Sequence, residues 1–271
     1  MMVLTAMVSS VTVLASAASY PVPHMQNLAQ KASRAAASVL FPDTCLACRT
    51  HVADRGTLCP ECWNRLHFIA EPLCDVTGVP FQHEFGDRMV SAEALADPPD
   101  YRRARAAVLH TGIARQLVQR LKYGDRTELA PWMARWMIRA GSALIEECDV
   151  IVPVPLHSRR FLARRYNQSA ELARAIAAET GRAFEPGALA RVKPTRQQVG
   201  LTATQRRDNV RGAFRVPAGR EIALAGRNVL LVDDVYTTGA TISAATKALL
   251  RAGADNVDVL CFSRVVPHFS D

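Results

Sequence analysis

Four apolar residues in a row, Val229 to Val232, run straight into two carboxylates, Asp233 and Asp234. So short and unbroken an apolar run reads as a strand buried on both faces, which belongs in a parallel sheet covered by helices. Asp233 and Asp234 are expected where that strand leaves the sheet. From Thr241 the pattern turns helical, with Ile242, Ala245 and Leu249 on one face and Gly253 as the stop. The polar stretch between them is then a loop from a strand's carboxyl end to a helix's amino end. Open α/β sheets hold ligands there.

The chemistry of that loop is specific. Backbone N–H groups at a helix start, freed of side-chain bulk by Gly239, make an anion nest with the helix dipole behind it. Thr237, Thr238 and Thr241 add hydroxyl donors, so the loop suits a phosphate monoester. The adjacent carboxylates only accept, which suits a vicinal diol or a hydrated magnesium ion. Phosphate on one side and diol on the other describe a ribose 5-phosphate. No GK[ST] follows and no G-x-G-x-x-G is present, so this is neither a Walker loop nor a dinucleotide fingerprint. The plainer alternative is an acidic turn before a well-capped helix.

The same alternation extends along the chain. Ile113, Leu117, Val118 and Leu121 give a helix face between Thr111 and Gly124, and a second helix carries Trp132, Met133, Trp136 and Met137 up to Gly141. These aromatics and methionines read as core packing, not as a cofactor box. "DVIVPVPLHSRR" is a strand ending in a loop, a third helix runs from an Asn167 cap to Gly181, and "VDVLCFSRV" is the last strand. Strand, loop and helix in alternation predict an α/β fold with a mostly parallel sheet flanked by helices. No internal repeat is visible.

Cys45-x2-Cys48-x10-Cys59-x2-Cys62 is a separate device. Two CxxC knuckles aim four thiolates at one point and close a tetrahedral, structural zinc site. Such a site folds a segment too small to hold a core of its own. Two disulfides or free thiols are the alternatives. Cys74 follows, but Thr77 stands where a third knuckle needs cysteine, so Cys74 is expected to be unligated and one zinc is expected. Cys148 and Cys261 read as small buried apolar residues. The expected organisation is an extension over 1–40, a four-cysteine zinc module over 41–80, a linker over 81–100 around "DPPD", and the main domain over 101–271.

The amino-terminal stretch is apolar and small, yet it lacks a basic n-region and is interrupted by Thr and Ser. Translation is expected to start at Met25. An exported chain with these cysteines would be expected to form disulfides, so the protein is placed in the cytoplasm. No apolar run reaches membrane-spanning length, and no integral membrane segment is expected. The net charge of +8 is uneven: residues 151–220 carry 14 Arg and Lys against four Asp and Glu. An anionic ligand, phosphates or nucleic acid, fits that asymmetry, as does a solvated basic face.

"LLVDDVYTTGAT" resembles the 5-phosphoribosyl 1-diphosphate (PRPP) signature of type I phosphoribosyltransferases. The flanking order resembles the ComF family: cysteine knuckles first, then "RLKYGD" at 120–125, "VPVPLHSRR", "RRYNQSAELA" and "QVGLTATQRRDNVRGAF". The likeness covers about residues 41–265. It implies a type I phosphoribosyltransferase-like domain binding PRPP and Mg2+, with Asp233 and Asp234 on the ribose hydroxyls or magnesium. Thr237, Thr238, Gly239, Ala240 and Thr241 would cradle the 5-phosphate. Val154, Pro155 and Leu156 would form the diphosphate loop with Arg159 and Arg160 nearby, and the segment 198–211 a mobile hood. If transfer occurs, Arg206 and Arg207 join the two aspartates as the catalytic candidates, stabilising the departing diphosphate. The family usually has R-G-F-N-Q where this chain has Arg164-Arg165-Tyr166-Asn167-Gln168. The resemblance also implies an accessory role in DNA uptake or DNA utilisation, with the uptake machinery as partner. Single-stranded DNA would then meet Arg164, Arg165, Arg206, Arg207 and Arg211. The alternative is a phosphoribosyltransferase of nucleotide salvage acting on a base or amine, its acceptor and oligomeric state not legible.

Overall fold

In the computed structural model, which describes residues 43–54, 56–84, 86, 89–123, 126–156, 166–193 and 210–267, the apolar run lies in the middle strand of a parallel sheet. The strands are β1 (Ala104–Leu109), β2 (Val150–Pro153), β3 (Ala183–Phe184), β6 (Asn228–Tyr236) and β7 (Asn256–Arg264). Between β3 and β6 in the chain, β4 (Ala190–Arg191) and β5 (Phe214–Arg215) pair antiparallel outside this sheet. The sheet order is β1-β7-β6-β2-β3 and all its pairs are parallel. Val150, Ile151 and Val152 of β2 and Val229 to Val232 of β6 are almost wholly buried, as expected of strands covered on both faces.

Helices supply that cover. They are α1 (Pro60–Asn64), α2 (Ala92–Ala96), α3 (Gly112–Tyr123), α4 (Ala130–Ala140), α5 (Ser142–Glu147), α6 (Gln168–Thr180) and α7 (Ala240–Arg251). Apolar residues of α3 to α6 join Leu230, Val232, Leu260 and Phe262 in one core layer. Ile242, Ala245 and Leu249 of α7 join Val229, Leu231 and Val259 in the other. The alternation of side chains along β6 and β7 divides them between the two layers. Asn167 caps α6 by accepting from the Ser169 N–H, and Gly181 ends the helix in the left-handed region. The described residues fall in one compact unit, and none of their helices is long and apolar enough to cross a membrane.

One expectation is corrected. Asp233 and Asp234 do not lie beyond the strand: β6 runs on to Tyr236, because β7 keeps pairing with it as far as Tyr236 opposite Arg264. Its other neighbour β2 stops at Pro153 opposite Val232. The carboxylates therefore sit on a strand paired along one side and open along the other. Helix α4 ends at Gly141 as expected, and α5 follows directly. The φ of Gly141 is −114°, and an added Cβ would fall 2.7 Å from Leu260 Cδ1. Glycine serves close packing there.

Candidate functional site

From β2 the chain winds outward to β3, and from β6 it winds outward to β7, so the strand order reverses between β2 and β6. Beyond the carboxyl ends of two such strands an open α/β sheet leaves a crevice. A cleft of about 340 Å³ lies there, with Val154, Pro155 and Leu156 after β2 and Asp233, Asp234, Thr237, Gly239 and Thr241 around the end of β6. Lys122, Ser169 and Arg191 also line it.

The two carboxylates have different partners. Asp233 Oδ1 accepts from Ser169 Oγ at 2.8 Å and from the Asp234 N–H at 2.9 Å. Asp234, only 8% exposed, has Oδ1 3.0 Å from Lys122 Nζ. Burial first, then the negative charge of Asp234, push the Asp233 carboxyl up to about 7; Ser169, the Asp234 N–H and Lys122 pull the other way. The cleft thus holds one carboxylate neutralised by an ammonium group and a second poised to gain or lose a proton near neutrality. Oxygen-only donors of this kind suit a hard cation such as Mg2+ or the hydroxyls of a sugar.

Across the cleft, α7 starts at Gly239 with φ +75° and no capping side chain. A Cβ at that position would lie 2.4 Å from Tyr236 Oη, so only glycine fits the turn. Thr237 and Thr238 are exposed at the helix start. Tyr236 is itself braced: its hydroxyl lies 2.8 Å from Tyr101 Oη, and the Arg264 guanidinium stands 4.1 Å over its ring. Arg264 in turn donates through Nη1 to the Thr77 carbonyl at 2.6 Å. The start of α7 is anchored through these side chains to the cysteine-rich segment.

That segment holds a second centre. The sulfurs of Cys45, Cys48, Cys59 and Cys62 all lie within 4.8 Å of one another, with Cys48 and Cys59 at 3.5 Å. A tetrahedral zinc with arms of about 2.3 Å needs sulfurs about 3.8 Å apart. Backbone N–H groups of Ala47 and Cys59 point at Cys45 Sγ, at 3.4 and 3.2 Å, which favours its thiolate. The cluster fits a structural zinc ion.

Sequence reasoning placed the aspartates, the Thr237–Thr241 loop and Val154–Leu156 in a site, and the fold brings all of these but Thr238 and Ala240 to the lining of one cleft. It named none of Lys122, Ser169 and Arg191 for that cleft. Lys122 was legible only as part of "RLKYGD"; Ser169 follows the Asn167 cap by two residues; Arg191 had no local signal. Arg211 is described and exposed, its carbonyl accepting from Lys193 Nζ at 3.2 Å, and it does not line the cleft. Arg159, Arg160, Arg164, Arg165, Arg206 and Arg207, and most of the hood, lie outside the described residues.

Comparison with known proteins adds the lineage. Residues 36–94 match the double zinc ribbon domain family. The chain is 32% identical to the DNA utilization protein YhgH of Salmonella typhimurium, over 82% of this chain and 90% of that one. It is 27% identical to competence protein F of Haemophilus influenzae, over 83% and 98%. Among solved structures, a purine phosphoribosyltransferase from Pyrococcus horikoshii aligns at 16% identity with a TM-score of 0.30, covering 52% of this chain and 81% of that one.

Proposed function

The chain belongs to the ComF family, and from that membership we propose that it is a PRPP-binding protein that serves DNA uptake or DNA utilisation. One observation carries the reading. Paired carboxylates, the loop after β2 and a glycine-started helix share a single cleft at the strand-order reversal. The 5-phosphate goes to the Thr237–Thr241 loop, the ribose hydroxyls to Asp233 and Asp234, and the diphosphate toward Val154–Leu156 with Arg159 and Arg160. Asp233 and Asp234 would also hold magnesium, which would supply charge neutralisation for the diphosphate. Ser169 orients Asp233, and Lys122 holds Asp234 until the ligand arrives.

Calorimetry with Mg-PRPP tests this directly. The double variant Asp233→Asn, Asp234→Asn is expected to lose binding while keeping its circular dichroism; unchanged affinity overturns the site. For single-stranded DNA, the basic stretch of residues 151–220 is the proposed contact. If roughly four to six phosphates are neutralised, log affinity falls with log salt at a slope of about −3 to −4. Arg206→Ala with Arg207→Ala should flatten that slope, and PRPP should compete.

A second reading is a phosphoribosyltransferase of a base or amine. The Asp233 carboxyl near 7 favours it, since a group titrating at working pH suits proton transfer. The test is diphosphate release from PRPP with candidate bases, amines and single-stranded DNA supplied in turn.

A further inference from the structure

The segment after the four-cysteine cluster repeats its backbone, hydrogen bond for hydrogen bond. In the first half the Cys45 N–H donates to Thr50 O at 2.7 Å, Arg49 N–H to Cys45 O at 3.1 Å, and Thr44 bridges to His51. In the second the Cys74 N–H donates to Val79 O at 2.8 Å, Gly78 N–H to Cys74 O at 2.8 Å, and Leu73 bridges to Pro80. The residue turning the left-handed corner is Arg49 in one and Gly78 in the other, each with φ 67°.

The second knuckles correspond too. Cys59 is the N-cap of α1 and its N–H donates to Cys45 Sγ at 3.2 Å. Ser91 is the N-cap of α2 and its N–H donates to Cys74 Sγ at 3.3 Å. Matching each half of the repeat, with two residues between ligands as in a CxxC knuckle, sets Thr77 opposite Cys48 and Ala94 opposite Cys62.

We propose that residues 73–94 are a second zinc ribbon that folds without its ion, with Cys74, Thr77, Ser91 and Ala94 at the four ligand positions. The residues present do not fit zinc: one thiol, two alkyl hydroxyls and a methyl group offer a single anionic donor. Hydrogen bonds take the ion's place. Cys74 Sγ accepts from the Thr77 N–H at 3.4 Å as well as from Ser91, and its thiol reaches Ser91 Oγ at 3.6 Å. Ser91 Oγ also accepts from the Ala94 N–H at 3.3 Å, so one hydroxyl ties both knuckles together. Thr77 is buried, and its side chain faces the Cys74 thiol at the position a ligand would take. The sheet holds this half from outside: Ala104 N–H donates to Val76 O at 2.7 Å and Arg264 to Thr77 O. A Cβ on Gly78 would fall 2.3 Å from the Ala104 carbonyl, so the corner is pressed against β1.

Metal analysis of the full chain, with cobalt substitution to count thiolate ligands by their charge-transfer bands, tests the inference. The wild type should hold one zinc, and Cys74→Ser should keep it. The triple variant Thr77→Cys, Ser91→Cys, Ala94→Cys should take up a second tetrathiolate ion. Two ions in the wild type, or loss of the ion in Cys74→Ser, overturns the inference. So does a triple variant that stays at one ion while binding Mg-PRPP like the wild type. If the triple variant does not fold, the wild-type count and Cys74→Ser still decide.

Discussion

If the cleft binds PRPP as proposed, Asp233 should make that binding pH-dependent. A carboxyl pushed up to about 7 is largely protonated at pH 6 and ionised at pH 8, and only the ionised form serves a cation or accepts from both hydroxyls of a diol. Mg-PRPP affinity should therefore rise from pH 6 to 8 and level off above. The groups facing Asp233 are Ser169, Asp234, Lys122 and the Cys261 thiol. Ser169 donates to the ionised form, so Ser169→Ala should move the affinity midpoint upward by about one pH unit. Calorimetry across pH checks it, and a midpoint that stays put removes Ser169 from the role. At Gly239 the constraint is steric. Gly239→Ala brings a methyl group against Tyr236 Oη and adds strain at φ +75°, and should weaken PRPP binding about tenfold or more. The adjacent acids and the glycine were visible as letters. Lys122, brought to Asp234 by a distant helix, was not, because sequence spacing holds no distance between α3 and β6.

At the scale of elements, β6 was legible as an unbroken apolar run and α7 because its apolar residues repeat at helix period. The length of β6 was not, since it depends on a partner, β7, that keeps pairing after β2 stops. The repeat of the cysteine-rich ribbon was hidden for a different reason. Three of its four ligand letters differ, and the spacer between knuckles grows from 10 to 13 residues, so only the backbone shows it. The second ribbon, β7 and the start of α7 are joined by Thr77, Arg264, Tyr236 and Gly239. Arg264→Met should keep zinc in the four-cysteine centre while loosening the Tyr236 ring, lowering PRPP affinity roughly tenfold. Equal affinity in that variant would show the chain of contacts to be packing only.

For the whole molecule, acid stability should rest partly on Asp258, which is 3% exposed. Burial alone would raise its carboxyl, but hydrogen bonds from Arg102, at 3.0 and 2.5 Å, and Arg103, at 2.9 Å, outweigh it and hold the group below its ordinary value. A depressed carboxyl stabilises the fold above the unfolded value near 4, and that contribution is lost as pH falls through the folded value. Asp258→Asn should cost about 2 kcal/mol at pH 7, less than a sealed pair because both arginines reach solvent. Its denaturation midpoint should be flatter below pH 4 than that of the wild type.

The ribbon also has a bearing on how the protein fails. Strand β1 ends one side of the sheet, and its outer edge is covered by the cysteine-rich half: Phe68 bridges to Val108, Ile69 N–H donates to Ala107 O at 3.0 Å, and Leu109 N–H donates to His67 O at 2.8 Å. At the opposite side β3 is two residues long, too short to template another strand. Stripping the metal, or cutting the chain before Tyr101, would bare a six-residue edge, apolar but for Arg105, ready to pair with its like in a neighbouring molecule. In a metal-starved cell the first symptom should accordingly be precipitation, with the ligand cleft still sound in whatever fraction stays dissolved.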